Sequence, residues 1–137
     1  MIVLDASALV ELLLSTAAGK AVKTRLADPG LALHTPHMAD LEVAQVLRRR
    51  VRERELEAAE AALALADLRS LDLHRHAHDF LLDRIWALRF NLSAYDAAYV
   101  ALAESLEAPL LTCDGRLARA PGPRARIEFI PAAGRIQ

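Results

Sequence analysis

Short apolar runs alternate along this chain with longer segments of helical periodicity, and that alternation limits the fold more than any other feature. Residues 1–4, 31–33, 71–73, 109–112 and 127–130 read as strands. Between them lie segments that repeat their apolar residues at helical spacing. Strands separated by helices favour an α/β fold, with a central, mostly parallel sheet flanked by helices on both faces. Ligand sites in such folds lie beyond the carboxyl ends of the strands.

The helical segments differ in character. Residues 6–14 place Ala8, Leu9, Leu12 and Leu13 at helical spacing, and Ser15 or Thr16 can cap a second helix running to about Ala27, where Asp28, Pro29 and Gly30 end it. Residues 38–54 set Leu41, Val43, Val46, Leu47 and Val51 near one face and a run of arginines on the other. Residues 55–69, 79–89 and 93–106 complete the set. No linker or repeat divides the 137 residues, and a hydrophobic content of 54% suffices for one sizeable core, so one domain spanning 1–137 is expected.

Composition narrows the function. The apolar N-terminus is interrupted by Asp5 and Glu11 and falls short of the roughly 20 residues that cross a bilayer, so no export or membrane segment is expected. The single cysteine, Cys113, fits a reducing compartment, which makes the cytoplasm the expected location. A net charge of −1 means that a nucleic acid would be held by a local patch or by bound cations rather than by the field of the whole protein. Aromatics form only 4% of the chain, which argues against a base-stacking platform.

The candidate chemistry lies in four acids. Asp5 directly follows the first apolar run, and Asp114 follows Leu110-Leu111-Thr112-Cys113 in the same way. Glu42 stands among apolar residues at the start of an arginine-bearing helix, and Asp96 falls three residues after Ser93. Each has a local structural reading as well: a helix cap for Asp5, a turn before Gly115 for Asp114, a solvated face for Glu42 and a capping box for Asp96. Carboxylates without a neighbouring His or Cys cluster suit Mg²⁺ or Mn²⁺ rather than zinc. A cation so held polarises a phosphoryl oxygen and lowers the pKa of bound water, which is the chemistry of phosphodiester hydrolysis.

The segments Ile2-Val3-Leu4-Asp5-Ala6-Ser7-Ala8, Asp40-Leu41-Glu42-Val43, Leu92-Ser93-Ala94-Tyr95-Asp96-Ala97-Ala98-Tyr99 and Leu110-Leu111-Thr112-Cys113-Asp114 together resemble PIN-domain nucleases, and the VapC-type toxins most of all. The resemblance covers nearly the whole chain, in order. It implies that Asp5, Glu42, Asp96 and Asp114 are the catalytic, metal-binding residues for Mg²⁺ or Mn²⁺, with Ser7 and Thr112 as supporting hydroxyls. It also implies a homodimer, an RNA substrate and a cognate VapB-type antitoxin. No further acid closely follows Asp114, so one tightly held cation is expected.

Other features carry less. His74, His76 and His78 alternate, and in a strand they would share one face and mimic a transition-metal site. The resemblance assigns no metal there, so they read as solvated or capping residues between a strand and a helix, as do His34 and His37. Arg48, Arg49, Arg50, Arg52 and Arg54 read as a solvated helix face, and Trp86 with Phe90 as core or dimer interface. Competing functions are a phosphoacceptor signalling domain and a catalytically silent PIN-like module that binds RNA or protein. The first lacks its partner lysine, since Lys20 and Lys23 both fall in an early helix.

Overall fold

A computed structural model describes residues 1–132. The chain runs β1 (Ile2–Leu4), α1 (Ala6–Leu14), α2 (Ala17–Arg25), β2 (Leu33–Pro36), α3 (Ala39–Arg52), α4 (Ala58–Ser70) and β3 (Leu73–His76). A 3₁₀ turn (Asp79–Leu81) then leads into α5 (Leu82–Ala87), α6 (Ala94–Leu106), β4 (Leu110–Thr112), α7 (Gly115–Arg119) and β5 (Ile127–Phe129). The five strands form one sheet in the order β3-β2-β1-β4-β5, and every pairing is parallel. The expected α/β fold with a parallel sheet flanked by helices is therefore the one observed.

β1 is the central strand, and Ile2, Val3 and Leu4 have no exposed surface. A strand covered on both faces has no polar alternation to keep, which is why this one reads as an unbroken apolar run. β4 on its flank repeats the pattern with Leu110 and Leu111. Helices α2, α3 and α4 gather around α1, while α5 packs on α6, which lies against β1, β2 and β4. No helix among the described residues is long and apolar enough to cross a membrane.

Several boundaries differ from the sequence reading. β2 spans Leu33–Pro36 rather than 31–33, because the Gly30 amide donates to Asp28 Oδ1 and the Leu31 amide to the Asp28 carbonyl, holding Leu31 in a turn. Polar His34 and Thr35 then enter the sheet, and Pro36 closes the strand where its missing N–H matters least. β3 likewise begins at Leu73, since Leu71 closes α4 by donating to the Asp67 and Leu68 carbonyls. Leu41 is 74% exposed, so the apolar face of α3 is built instead from Val43 and Leu47, with Val46 and Val51 half-buried beside them. Helix α7, after Asp114, was not foreseen at all.

The α1–α2 corner depends on one glycine. Ser15 adopts φ 52° and ends α1, and Thr16 caps α2 by accepting a hydrogen bond from the Gly19 amide. A Cβ on Gly19 would stand 1.8 Å from the Glu11 carbonyl oxygen, an impossible approach to rigid backbone. Gly19→Ala must push the two helices apart and should destabilise the fold by about 2 kcal/mol or more. Thermal unfolding reads this directly, and an unchanged melting temperature would contradict the packing described.

Candidate acidic active site

Asp5 is the most constrained of the four acids. It stands one residue beyond β1, is 4% exposed and caps α1 by accepting a hydrogen bond from the Ala8 amide at 2.9 Å. Ser7 Oγ donates to its Oδ1 at 2.7 Å, and Thr112 Oγ1, at the end of β4, donates to its Oδ2. The two hydroxyls are themselves fixed: Ser7 Oγ accepts from the Cys113 amide and Thr112 Oγ1 from the Asp114 amide. Both hydroxyls named from the sequence therefore belong to one network that joins the ends of the two central strands.

Asp114 follows β4 and caps α7 by accepting from the Arg116 amide at 2.9 Å. Asp96 lies in the first turn of α6, where its amide donates to the Ser93 hydroxyl, so the local cap read from the sequence is present. Glu42 lies in the first turn of α3, half-buried rather than solvated, and accepts a 2.5 Å hydrogen bond from the Tyr99 hydroxyl. All four acids line one cleft of about 380 Å³. Local capping and a shared site therefore coexist.

Their electrostatics are mutually unfavourable. Burial, partly offset by the Thr112, Ala8 and Ser7 hydrogen bonds, raises the Asp5 carboxyl from an ordinary 3.8 to about 6, and the charge of Asp114 adds to the rise. Burial also raises Asp96, with Asp114 again contributing, and it raises Glu42, with Asp96 contributing and the Tyr99 hydrogen bond opposing. Each of these three carboxyls is disfavoured as an anion by burial and by another member of the group. A cation between them would relieve both effects.

The donor set suits a hard cation. Cys113 also lines the cleft, but burial and the nearby Asp5 and Glu11 push its thiol up to about 12, so it stays protonated and offers no thiolate. What remains is carboxylate and hydroxyl oxygen, the ligand chemistry of Mg²⁺ or Mn²⁺. Among the described residues no three acidic, histidine or cysteine side chains already close on a single point.

The sequence reading missed several residues here. Tyr99 lies one helical turn after Asp96 on the same face of α6 and holds Glu42 from the opposite helix. Glu11, 5% exposed, meets Arg50 at 3.6 Å, which places one of the supposedly solvated arginines in the interior. The interruption of the apolar α1 segment by a lone glutamate was the available signal. Arg49 and Arg116 also line the cleft, Arg116 within 3.8 Å of Asp114. Trp86 and Phe90, by contrast, lie outside the core at 67% and 83% exposure.

A parallel sheet whose carboxyl edge gathers one buried and three half-buried acids into one cleft defines an α/β protein with an oxygen-donor acid centre. Comparison with known proteins narrows this further. Residues 2–123 match the PIN domain. The Mycobacterium tuberculosis protein named ribonuclease VapC12 is 43% identical over 130 residues, covering 95% of this chain and 99% of its own. Among solved structures, PAE2754 from Pyrobaculum aerophilum superposes with a TM-score of 0.69 at 23% identity, covering 94% of this chain and 83% of that one. The DNA-bound VapBC2 structure from Rickettsia felis gives a TM-score of 0.67 at 14% identity, covering 94% and 98%. The chain belongs to the PIN-domain family, in its VapC branch.

The raised carboxyl of Asp5 has a consequence for stability. The folded chain holds a proton on Asp5 that the unfolded chain releases, so without a cation stability falls as pH rises from about 4 through 6, by up to about 3 kcal/mol for this group. Glu42 and Asp96 act in the same direction. In EDTA, the melting temperature should drop between pH 5 and pH 7.5, and the drop should shrink in Asp5→Asn. An equal drop in the variant would show that Asp5 is not the strained group.

Proposed function

We propose that this protein is the toxin component of a type II toxin–antitoxin module, an endoribonuclease that hydrolyses RNA phosphodiester bonds with Mg²⁺ or Mn²⁺. The observation that carries the reading is the convergence of Asp5, Glu42, Asp96 and Asp114 on one cleft, each disposed at a helix start. The kinship with a ribonuclease, VapC12, supports RNA as substrate, and the VapBC2 assembly among the structural relatives supports a VapB-type antitoxin as partner. The whole chain, 1–137, is taken as one PIN unit acting in the cytoplasm.

In this reading the four carboxylates are the cation ligands. A cation held there would supply Lewis-acid polarisation of a phosphoryl oxygen and a more acidic water, and hydrolysis by water rather than by the ribose would give a 5′-phosphate and a 3′-hydroxyl. Ser7 and Thr112 keep Asp5 from rotating, so that its oxygens stay aimed at the cleft. Tyr99 fixes Glu42 in the same way. Arg49 and Arg116 supply positive charge at the walls, where phosphates flanking the scissile bond would lie.

Purified, partner-free protein incubated with a structured RNA pool should cut at discrete positions in Mg²⁺ or Mn²⁺ and not in EDTA. Asp96→Asn should abolish cutting. Tyr99→Phe should reduce activity or cation affinity by about 10–100-fold, as loss of an outer-shell partner does, while leaving the fold intact. Cutting that persists in EDTA would overturn the mechanism. A wild-type protein that binds the cation yet cuts no RNA would favour a catalytically silent binding module.

The homodimer is part of the same proposal, and exposed apolar surface supports it. Phe80 is 61% exposed, Leu82 55%, Trp86 67% and Phe90 83%, all on or beside α5, with the Arg89 guanidinium lying over both aromatic rings of Trp86 and Phe90. Light scattering coupled to gel filtration should give twice the chain mass, and Trp86→Glu should shift it to the monomer. A wild-type monomer would remove this element of the proposal.

A further inference from the structure

All five histidines of the chain lie on β2 and β3 or within two residues of their ends; His37 and His78 are exposed connectors as expected from sequence, His78 at the start of the 3₁₀ turn, whereas His34, His74 and His76 lie inside the strands. His74 and His76 are inside β3, and His34, 8% exposed, is inside β2. The parallel register pairs His34 with His74 and Pro36 with His76, which puts the three rings on one face of the sheet. The His37 amide donates to the His76 carbonyl at 2.8 Å and so ties the ends of the two strands together.

Two of the three rings already face each other through their nitrogens, and the third is stacked beside them rather than aimed at the same point. His34 Nδ1 and His76 Nε2 face each other at 2.8 Å, and the His74 ring stacks on His34 with centroids 4.8 Å apart. The His76 ring centroid lies 5.1 Å from that of His34. The cluster is short of partners of its own: His34 Nε2 is buried and has none among the described residues. Among the described residues no carboxylate hydrogen-bonds to any of these rings.

We propose that β2 and β3 carry a second cation site, in which His34 Nδ1 and His76 Nε2 take one borderline transition-metal ion such as Zn²⁺, with His74 as third ligand. Zinc binds imidazole nitrogen at about 2.0–2.1 Å, so two such nitrogens on a tetrahedral ion stand roughly 3.4 Å apart. Opening the pair by about half an ångström makes room for the cation, and the proton shared between the two nitrogens moves to the outer nitrogen of the ring that carried it, His76 Nδ1 or His34 Nε2, so that both ligands stay neutral. His74 must swing from its stacked position, which its exposure on the edge strand permits. β3 ends the sheet, so the ion enters directly from solvent.

The neutral imidazole is the ligand form, and the surroundings favour it. Burial lowers the affinity of His34 for a second proton, followed by the charges of His76 and His74. His76 is lowered by burial and then by His74 and His37. The site differs in kind from the acid cleft, because imidazole nitrogen selects borderline metals where carboxylate oxygen selects Mg²⁺ or Mn²⁺. An ion there would pin the edge strand to β2.

The test is calorimetric titration of Zn²⁺ into the untagged full chain held in saturating Mg²⁺, repeated with Co²⁺ to read tetrahedral nitrogen coordination from its visible spectrum. One ion per chain should bind, and it should raise the melting temperature. Both His76→Ala and the exposed His74→Ala should weaken binding by at least about tenfold, no less than loss of an outer-shell partner would. Asp96→Asn should leave it unchanged. The proposal fails if Zn²⁺ does not bind, if both histidine variants bind as well as the wild type while melting normally, or if Asp96→Asn removes the binding.

Discussion

The buried carboxylate of Asp5 is the constraint around which the structure is arranged. A carboxylate this far from water is tolerated only with hydrogen bonds to both oxygens, and it receives them from the Ala8 amide, the Ser7 hydroxyl and the Thr112 hydroxyl. Those donors come from α1 and from β4, the strand beside β1. The pairing of β1 with β4, in which Leu4 stands opposite Leu111, sets Thr112 where it can reach Asp5. Sheet register and site geometry are thus the same fact, and a slip of one residue would turn Thr112 to the other face.

The other acids follow a rule visible only in three dimensions. Asp5 and Asp114 cap α1 and α7, while Glu42 and Asp96 lie in the first turns of α3 and α6. Each carboxylate therefore stands at a helix start, where the free N–H groups and the dipole favour negative charge by about 0.3–1 kcal/mol apiece. That is too little to offset burial and, after it, the repulsion of neighbouring acids, which together raise the carboxyls of Asp5, Glu42 and Asp96. The fold gathers four acids around a cleft where the exposed Arg116 beside Asp114 only partly balances them, which is the electrostatic condition for holding a cation.

The fold was legible because β1 and β4 are buried on both faces and so write themselves as apolar runs ending in acids. β2 and β3 were placed two residues early because His34, Thr35, His74 and Arg75 carry the strands on polar side chains. Each of these has a specific reason to be there: Thr35 donates to the Leu4 carbonyl, Arg75 grips Asp40, and the histidines meet one another. Periodicity sees polarity but not partners. For the same reason the burial of Arg50 against Glu11 and the hold of Tyr99 on Glu42 were hidden, since both join residues far apart in sequence.

What the cleft can recognise follows from its walls. With a net charge of −1, the protein exerts no long-range pull on a polyanion, and the acids at the centre of the cleft repel one. Attraction must come from charges within a Debye length of about 8 Å, and the arginines at the cleft supply it unequally. Arg50 is committed to Glu11 in the interior, whereas Arg116 reaches solvent beside Asp114 and Arg49 is exposed on α3. Of the aromatics, Tyr95 lines the cleft and is exposed, while Trp86 and Phe90 are engaged with Arg89 on α5. In the proposed reading a substrate would meet Arg49 and Arg116 at its phosphates, with Tyr95 as the one exposed ring at the cleft on which a base could stack.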